Sequence, residues 1–254
     1  MMRKCVLGVL LGFFILQSAS VASTSGEEEE LLALVNSVDD LYRGESSAGK
    51  MTMKVVTEHW QRTLQLEFFN KGKDRSLVRI LSPKKEKGTT TLRVKKDMWN
   101  YLPKVKRIIK VPVSMMGGSW MGSHFTNDDL VKQSRMADDF ISRISFKGKR
   151  DGRDLIEITS IAREDAVVVW GKMVIEMDEK TRFPIRIRYF DEDLELARTM
   201  TFGEPVQFSG RTIPASMKLT SQDKPKEFTE VRYDSLDFVT PVPDSLFSRR
   251  NLER

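Results

Sequence analysis

The sequence predicts a mainly β (α+β) protein: one large antiparallel sheet of about ten or eleven strands, preceded by an amphipathic helix. Three observations carry this. Apolar and polar residues alternate from Ser47 onward, short polar turn clusters separate the alternating runs, and the succession of long helices and strands that a parallel sheet requires is absent. A sheet of this size with one polar face curls, and its apolar face has to be covered.

The beginning of the chain lies apart from the sheet. Arg3 and Lys4, the apolar stretch Cys5 to Leu16 and the small-x-small triplet Ser20-Val21-Ala22 are the parts of a cleavable export signal. Residues 1–22 are therefore read as signal peptide and 23–254 as one domain. Cys5 stands at the start of the apolar stretch rather than at its end, which is the wrong place for a lipid anchor, and it is the sole Cys of the sequence. Loss of Arg3 and Lys4 takes the formal charge from +6 to +4 (40 cations against 36 anions). An exported chain without cysteine depends on its core rather than on cross-links and suits a bacterial periplasm. The modest charge and the export signal disfavour nucleic acid.

The helix is placed over Glu27 to Arg43, where Leu31, Leu34, Val35, Val38, Leu41 and Tyr42 share one face. Glu27 to Glu30 favour its N-terminal dipole, and Gly44 ends it. Period two then takes over. Met51, Met53 and Val55 alternate with Thr52 and Lys54, and Leu64, Leu66 and Phe68 with Thr63, Gln65 and Glu67. The second half repeats the pattern: Met173, Ile175 and Met177 against Lys172, Glu176 and Asp178, then Ile185, Ile187 and Tyr189 against Arg186 and Arg188. Hairpin turns are placed at Asn70 to Lys73, Lys149 to Gly152, Asp178 to Lys180, Asp191 to Asp193 and Ser209-Gly210. Between the halves, Pro112 to about Asp139 interrupts the strands. Thr126-Asn127-Asp128-Asp129-Leu130 reads there as a helix cap and a short helix.

Enzymatic chemistry has little to build on. His59 and His124 are far apart, neither has metal-ligand spacing, and no nucleophile elbow, phosphate loop or dinucleotide fingerprint occurs, so no enzyme, cofactor or metal is expected. His124 with Asp128 and Asp129 can be drawn as a metal or acid/base cluster, but helix capping is the plainer role. Lys84-Lys85-Glu86-Lys87 beside Pro83 reads as a solvated hairpin tip. Lys104, Lys106, Arg107 and Lys110 are either an outward strand face or a docking contact for anionic head groups or an acidic partner.

The most informative run is Met115 to Phe125, inside the longest uncharged stretch of residues 23–254, Val111 to Asn127, which Pro112 and three glycines make unfit to cross a bilayer. Methionine adapts to irregular apolar shapes and glycine frees the backbone, which together describe an apolar flap suited to variable acyl chains; the plain alternative is core filling under a lid. The cavity and lid residues expected on this reading are Leu64, Leu66, Phe68, Trp99, Met115, Met116, Trp120, Met121 and Phe125.

Several of these residues also carry a resemblance. Asp97-Met98-Trp99-Asn100-Tyr101-Leu102-Pro103, Arg107-Ile108-Ile109, Met121-Gly122-Ser123-His124-Phe125-Thr126-Asn127-Asp128-Asp129-Leu130 and the closing Pro243-Asp244-Ser245-Leu246-Phe247 resemble the outer-membrane lipoprotein-sorting family, in a divergent LolA-like branch. The resemblance implies an incomplete antiparallel β-barrel, its open side covered by the N-terminal helix and a short helical lid, around an apolar cavity. It further implies a periplasmic carrier that binds lipoprotein or phospholipid acyl chains and works between an inner-membrane ABC or other export transporter and an outer-membrane receiver. No residue role of the classical carriers transfers onto this chain. The alternative is an envelope sensor or adaptor of the same fold that binds a lipoprotein or protein partner.

Overall fold

A computed structural model describes residues 19–132, 136–166 and 168–253; most of the expected signal peptide lies outside them. The first element, α1 (Ala19–Asp40), ends where the Arg43 and Gly44 amides both donate to the Asp40 carbonyl at 3.2 Å and Gly44 adopts φ 56°. The expected face is the buried one: Leu34, Val35 and Leu41 enter the main core and Leu31, Val38 and Tyr42 pack against it. The start differs from expectation. Glu27 to Glu30 lie well inside α1, too far from its first turn for the dipole to act on them. Glu30 instead pairs with Lys147 (3.4 Å) and Arg182 (3.3 Å).

Fifteen strands follow among the described residues. The first six form a meander: β1 (Ser46–Val56), β2 (Gln61–Lys71), β3 (Arg75–Ser82), β4 (Thr90–Val94), β5 (Asp97–Leu102) and β6 (Arg107–Lys110). A second meander holds β7 (Phe140–Arg150), β8 (Arg153–Ala162), β9 (Lys172–Asp178), β10 (Pro184–Phe190) and β11 (Leu196–Phe202). A small hairpin, β12 (Pro205–Phe208) and β13 (Arg211–Pro214), precedes β14 (Ser216–Ser221) and β15 (Phe228–Asp237). Strands β15 and β14 slot between the two meanders, so β1 pairs with β15 and β14 with β11 in one antiparallel sheet of 13 strands. Its edges are β6 and β7, which do not meet; the sheet is an open barrel.

The excess over the ten or eleven strands expected comes in part from β6, β12 and β13, each four residues long. Strands that short place only two side chains on each face, too few to display an alternation. All five expected hairpin turns are connections between paired strands, with positive φ at Gly72, Asp151, Gly152, Arg182, Leu194, Ser209 and Gly210. The sheet is irregular and closely packed at β1. The ladder between β1 and β15 shifts register at Lys50/Met51, and a Cβ on Gly49 would run into the Ser235 carbonyl oxygen and lie 2.9 Å from the Phe68 ring.

The inner face carries the main core, including Met53, Leu64, Leu66, Ile158, Ile175 and Met177, all fully buried. A second cluster lies on the outer face of β3 to β5. There Leu77 and Leu92, one position out of phase with the inner-facing Val78 and Thr91, pack with Val242 and with Phe247 and Leu252 of the two 3-10 turns that follow it. Lys71 and Arg75 pair with Asp244 (2.7 and 2.6 Å), and Arg79 donates to the Asn251 carbonyl at 3.1 Å. The outer face of β8 to β10 is charged instead. Glu176, expected to face water, is only 4% exposed because Arg186 and Arg188 fold over it at 2.7 and 3.0 Å. No described helix is long and apolar enough to cross a membrane.

Candidate ligand cavity and its lid

Between α1, the inner face of the sheet and the segment that interrupts the strands lies a cavity of about 140 Å³. Sheet residues form its floor: Met51 from β1, Phe68 from β2, Val78 from β3, and Ile187, Met200, Met217 and Val231 from the far half. Its roof is Val38 of α1, Trp120 and Phe125 of the interrupting segment, Leu130 of α2 (Asn127–Lys132) and Met136 of α3 (Met136–Asp139). Tyr42 and Tyr233 stack in its wall with ring centroids 4.5 Å apart, and Phe68 meets Tyr233 edge-on at 5.6 Å. Burial raises the pKa of both tyrosine hydroxyls.

The roof is a lid folded from Pro112 to α2. Two 3-10 turns, Val113–Met115 and Trp120–Gly122, and a bridge between Ser119 and Thr126 bring Trp120 and Phe125 to the inside. Thr126 and Asp129 cap α2 reciprocally: the Thr126 amide donates to Asp129 Oδ2 at 2.6 Å and the Asp129 amide to Thr126 Oγ1 at 3.1 Å. The capping role read from the sequence is thus in place.

Four strands hold the lid through polar contacts. Arg62 of β2 donates to the Met121 carbonyl, and Trp120 Nε1 donates to Thr91 Oγ1 of β4 at 3.1 Å. The His124 amide donates to Thr229 Oγ1 of β15 at 3.0 Å. The strongest hold comes from β11, where Arg198 grips both oxygens of Asp129 at 2.5 and 2.9 Å and also donates to the His124 carbonyl at 3.1 Å. Its guanidinium lies over Trp170 and Tyr189, 4.0 and 4.4 Å from the ring centroids. Burial lowers the His124 pKa and outweighs the opposing effect of Glu227, whose carboxylate stands 3.6 Å away.

Of the nine expected lining residues, Phe68, Trp120 and Phe125 border the cavity. Leu64 and Leu66 lie fully buried in the same core, with Met121 packed against it, and none of the three borders the cavity. Met116 packs against a small cluster of Met98 and Val111, and Met115 is 59% exposed. Trp99 pairs with Leu92 and therefore stands on the outer face, against the C-terminal cluster. The methionines that do line the cavity, Met51, Met136, Met200 and Met217, come from strands and α3 rather than from the lid run. Only Met51 had a legible signal, its place in a period-two run. Arg62 and Arg198, which hold the lid, carry no signal in the sequence, because a lone arginine in a strand reads as an outward residue. Lys104, Lys106 and Arg107 are exposed on and beside the β5–β6 turn.

An open antiparallel barrel with helices and a lid over its inner face is the LolA-like fold. Solved structures agree. A putative outer-membrane lipoprotein-sorting protein domain from Vibrio parahaemolyticus superposes with TM-score 0.76 at 21% identity, covering 89% of this chain and 99% of that one. A DUF1329 family protein from Desulfovibrio piger gives TM-score 0.77 at 19% identity over 87% and 96%. A LolA superfamily protein from Nitrosomonas europaea gives 0.73 at 16% identity over 87% and 98%. Residues 72–254 match the model of a family described as "Uncharacterized protein", and the chain belongs to that family. No curated protein matches it in sequence. The resemblance read around Trp99 to Leu130 is thereby met at the level of fold.

Proposed function

We propose that the protein is a periplasmic, non-enzymatic carrier that shelters the acyl chains of a lipidated protein or a phospholipid, in outer-membrane lipoprotein sorting or lipid transport. The observation that carries this reading is the apolar cavity under a lid fastened by polar contacts. An exposed acyl chain costs about 0.8 kcal/mol per CH₂ in water, so a carrier must bury it and later release it. Besides Trp120 and Phe125, the lid is held by hydrogen bonds and an ion pair that water can replace when it lifts, which favours the lid as the side that opens.

At about 140 Å³ the cavity is close in size to an engineered void of roughly 150 Å³ that accepts benzene. A longer chain enters only as α1 and the lid separate from the sheet. Phe68, Trp120 and Phe125 then contact the chain first. Lys104, Lys106 and Arg107, with Val105 58% exposed between them, serve as the docking contact for the membrane surface, transporter or receiver.

The test is to export residues 23–254 to the periplasm, purify without detergent, and combine native mass spectrometry with lipid extraction. Co-purified phospholipid or acylated peptide is the expected result. An empty protein that also refuses a fluorescent fatty-acid probe overturns the proposal.

A further inference from the structure

Five of the twelve exposed large apolar side chains among the described residues fall between Leu102 and Met115: Leu102, Val105, Ile109, Val113 and Met115. This segment runs from the end of β5 along the edge strand β6 into the first turn of the lid. Two amide bonds hold the β5–β6 turn, from Val105 to the Leu102 carbonyl at 3.2 Å and from Lys106 to the Pro103 carbonyl at 3.3 Å, and Val105 stands exposed within it. On β6, Ile108 packs against the C-terminal cluster, so Ile109 faces the other way and stays exposed. Val113, 74% exposed, and Met115 belong to the lid itself.

The charge around these side chains has one sign. No carboxylate occurs from Met98 to Asn127, while Lys104, Lys106 and Arg107 are exposed and Lys110 pairs with Asp97 at 2.7 Å. The β3–β4 connection lies alongside: a Cβ on Gly88 would come 3.7 Å from the Pro103 ring, and Lys84, Lys85 and Lys87 are exposed there. The one carboxylate of these two turns, Glu86, is taken by Arg62 at 2.9 Å.

Apolar side chains set among lysines suit a lipid surface better than a protein. At a bilayer the apolar group enters the acyl boundary while the lysine stem reaches back to the head groups. Protein interfaces instead gather aromatic anchors in pockets and are poor in lysine. Here none of the five apolar side chains is aromatic, and all the exposed cations of the two turns except Arg107 are lysines.

We infer that the β5–β6 turn, the β6 edge and the first lid turn settle on an anionic phospholipid surface, Val105, Val113 and Met115 entering the acyl boundary and Lys104, Lys106 and Arg107 meeting the phosphates. The inference rests on the carrier reading and deepens it, committing the docking contact to the membrane and adding the lid to that contact. The Met115 carbonyl accepts from the Gly118 amide and from Asn127 Nδ2, both at 3.0 Å, so a bilayer that holds this turn also holds the start of α2.

Residues 23–254 contain no Cys, so single cysteines can carry an environment-sensitive dye. Val105→Cys, Val113→Cys and, as a control on the outer face of β11, Thr201→Cys are mixed with vesicles of phosphatidylethanolamine and phosphatidylglycerol, or of phosphatidylcholine alone. The anionic vesicles should bind about tenfold or more tightly than the neutral ones, and less so as salt is added. The dyes at positions 105 and 113, but not at 201, should shift to the blue and be shielded from a water-soluble quencher. Val105→Ser combined with Val113→Ser and Met115→Ser should weaken binding about tenfold while the melting temperature holds. Equal binding to both vesicles, or binding that shields neither 105 nor 113, overturns the inference. Shielding at 105 alone overturns the share given to the lid. A protein that takes up the fatty-acid probe but binds no vesicle overturns the inference, leaves the carrier reading standing and points to an acidic protein as the partner. A protein that binds anionic vesicles as expected but refuses the probe sinks the carrier reading and not the membrane contact. The dye measurements decide the matter even where the triple variant does not fold.

Discussion

Arg198 on β11 holds both carboxylate oxygens of Asp129 on α2, at 2.5 and 2.9 Å, with 5% of one side chain and 9% of the other exposed. Because Asp129 also caps α2, one carboxylate both starts the helix and ties it to the sheet. Removing one partner leaves a buried charge without compensation, which typically costs about 3–5 kcal/mol. Arg198→Met is expected to lose stability in that range on chemical denaturation. Amide exchange should accelerate at Asp128, whose N–H is bonded to the Met116 carbonyl, before it does so in β1 and β2.

Trp120→Asp tests the lid from inside. The indole is 3% exposed and faces the cavity, so the change removes a large apolar surface and places a carboxylate in its stead. The β-sheet circular dichroism is expected to persist while uptake of the fatty-acid probe is lost. Collapse of the spectrum would show that Trp120 belongs to the core on which the sheet depends.

Gly49→Ala addresses the close packing of β1 against β15 and Phe68. The added methyl meets the Ser235 carbonyl and the Phe68 ring, and overpacking of this kind costs about 1–3 kcal/mol. A lowered melting temperature without a change of fold is expected; an unchanged one would mean that β1 and β15 separate locally at no cost.

The lid should also respond to acid. Burial keeps the His124 pKa below its ordinary 6.5 in the folded protein, against the pull of Glu227 and with Lys224 and Arg198 adding to the depression. The unfolded chain therefore binds a proton that the folded chain refuses. This contribution to stability is complete above pH 6.5 and declines as pH falls through the folded value. The slope of unfolding free energy against pH between about 7 and 5 should flatten in His124→Asn. An unchanged slope would assign the acid sensitivity to other groups.

The docking proposal has its own readout. Reversing Lys104, Lys106 and Arg107 to glutamate should leave the melting temperature within about 1 °C, since these exposed side chains cover no core. Co-sedimentation with vesicles rich in anionic phospholipid should fall sharply, and the salt dependence of binding should weaken with it. Undiminished binding would move the docking contact elsewhere.

The fold was legible because its signals are local. Period two in β1, β2 and β9 and the turn residues at Lys71 to Lys73 or Asp151-Gly152 act over a few positions and needed no tertiary knowledge. The cavity was less so. Trp99 and Trp120 both stood out as large aromatics near an apolar run, yet pairing with Leu92 turns one outward and a 3-10 turn carries the other inside. Glu176 looked like a solvent-facing charge until two arginines from β10 closed over it. Arg198 depends on Asp129, 69 residues away, and no pattern within either strand or helix reports such a meeting.

The C-terminal turns have a mechanical consequence. With Val242, Phe247 and Leu252 packed behind Leu77 and Leu92, the wall made by β3 to β5 is backed on its outer side, whereas β8 to β10 carries its own layer of paired charges there, over Val174. Compliance is therefore uneven around the barrel. On the carrier reading, a bulky guest meets a rigid backstop on one flank and is accommodated by splaying the other.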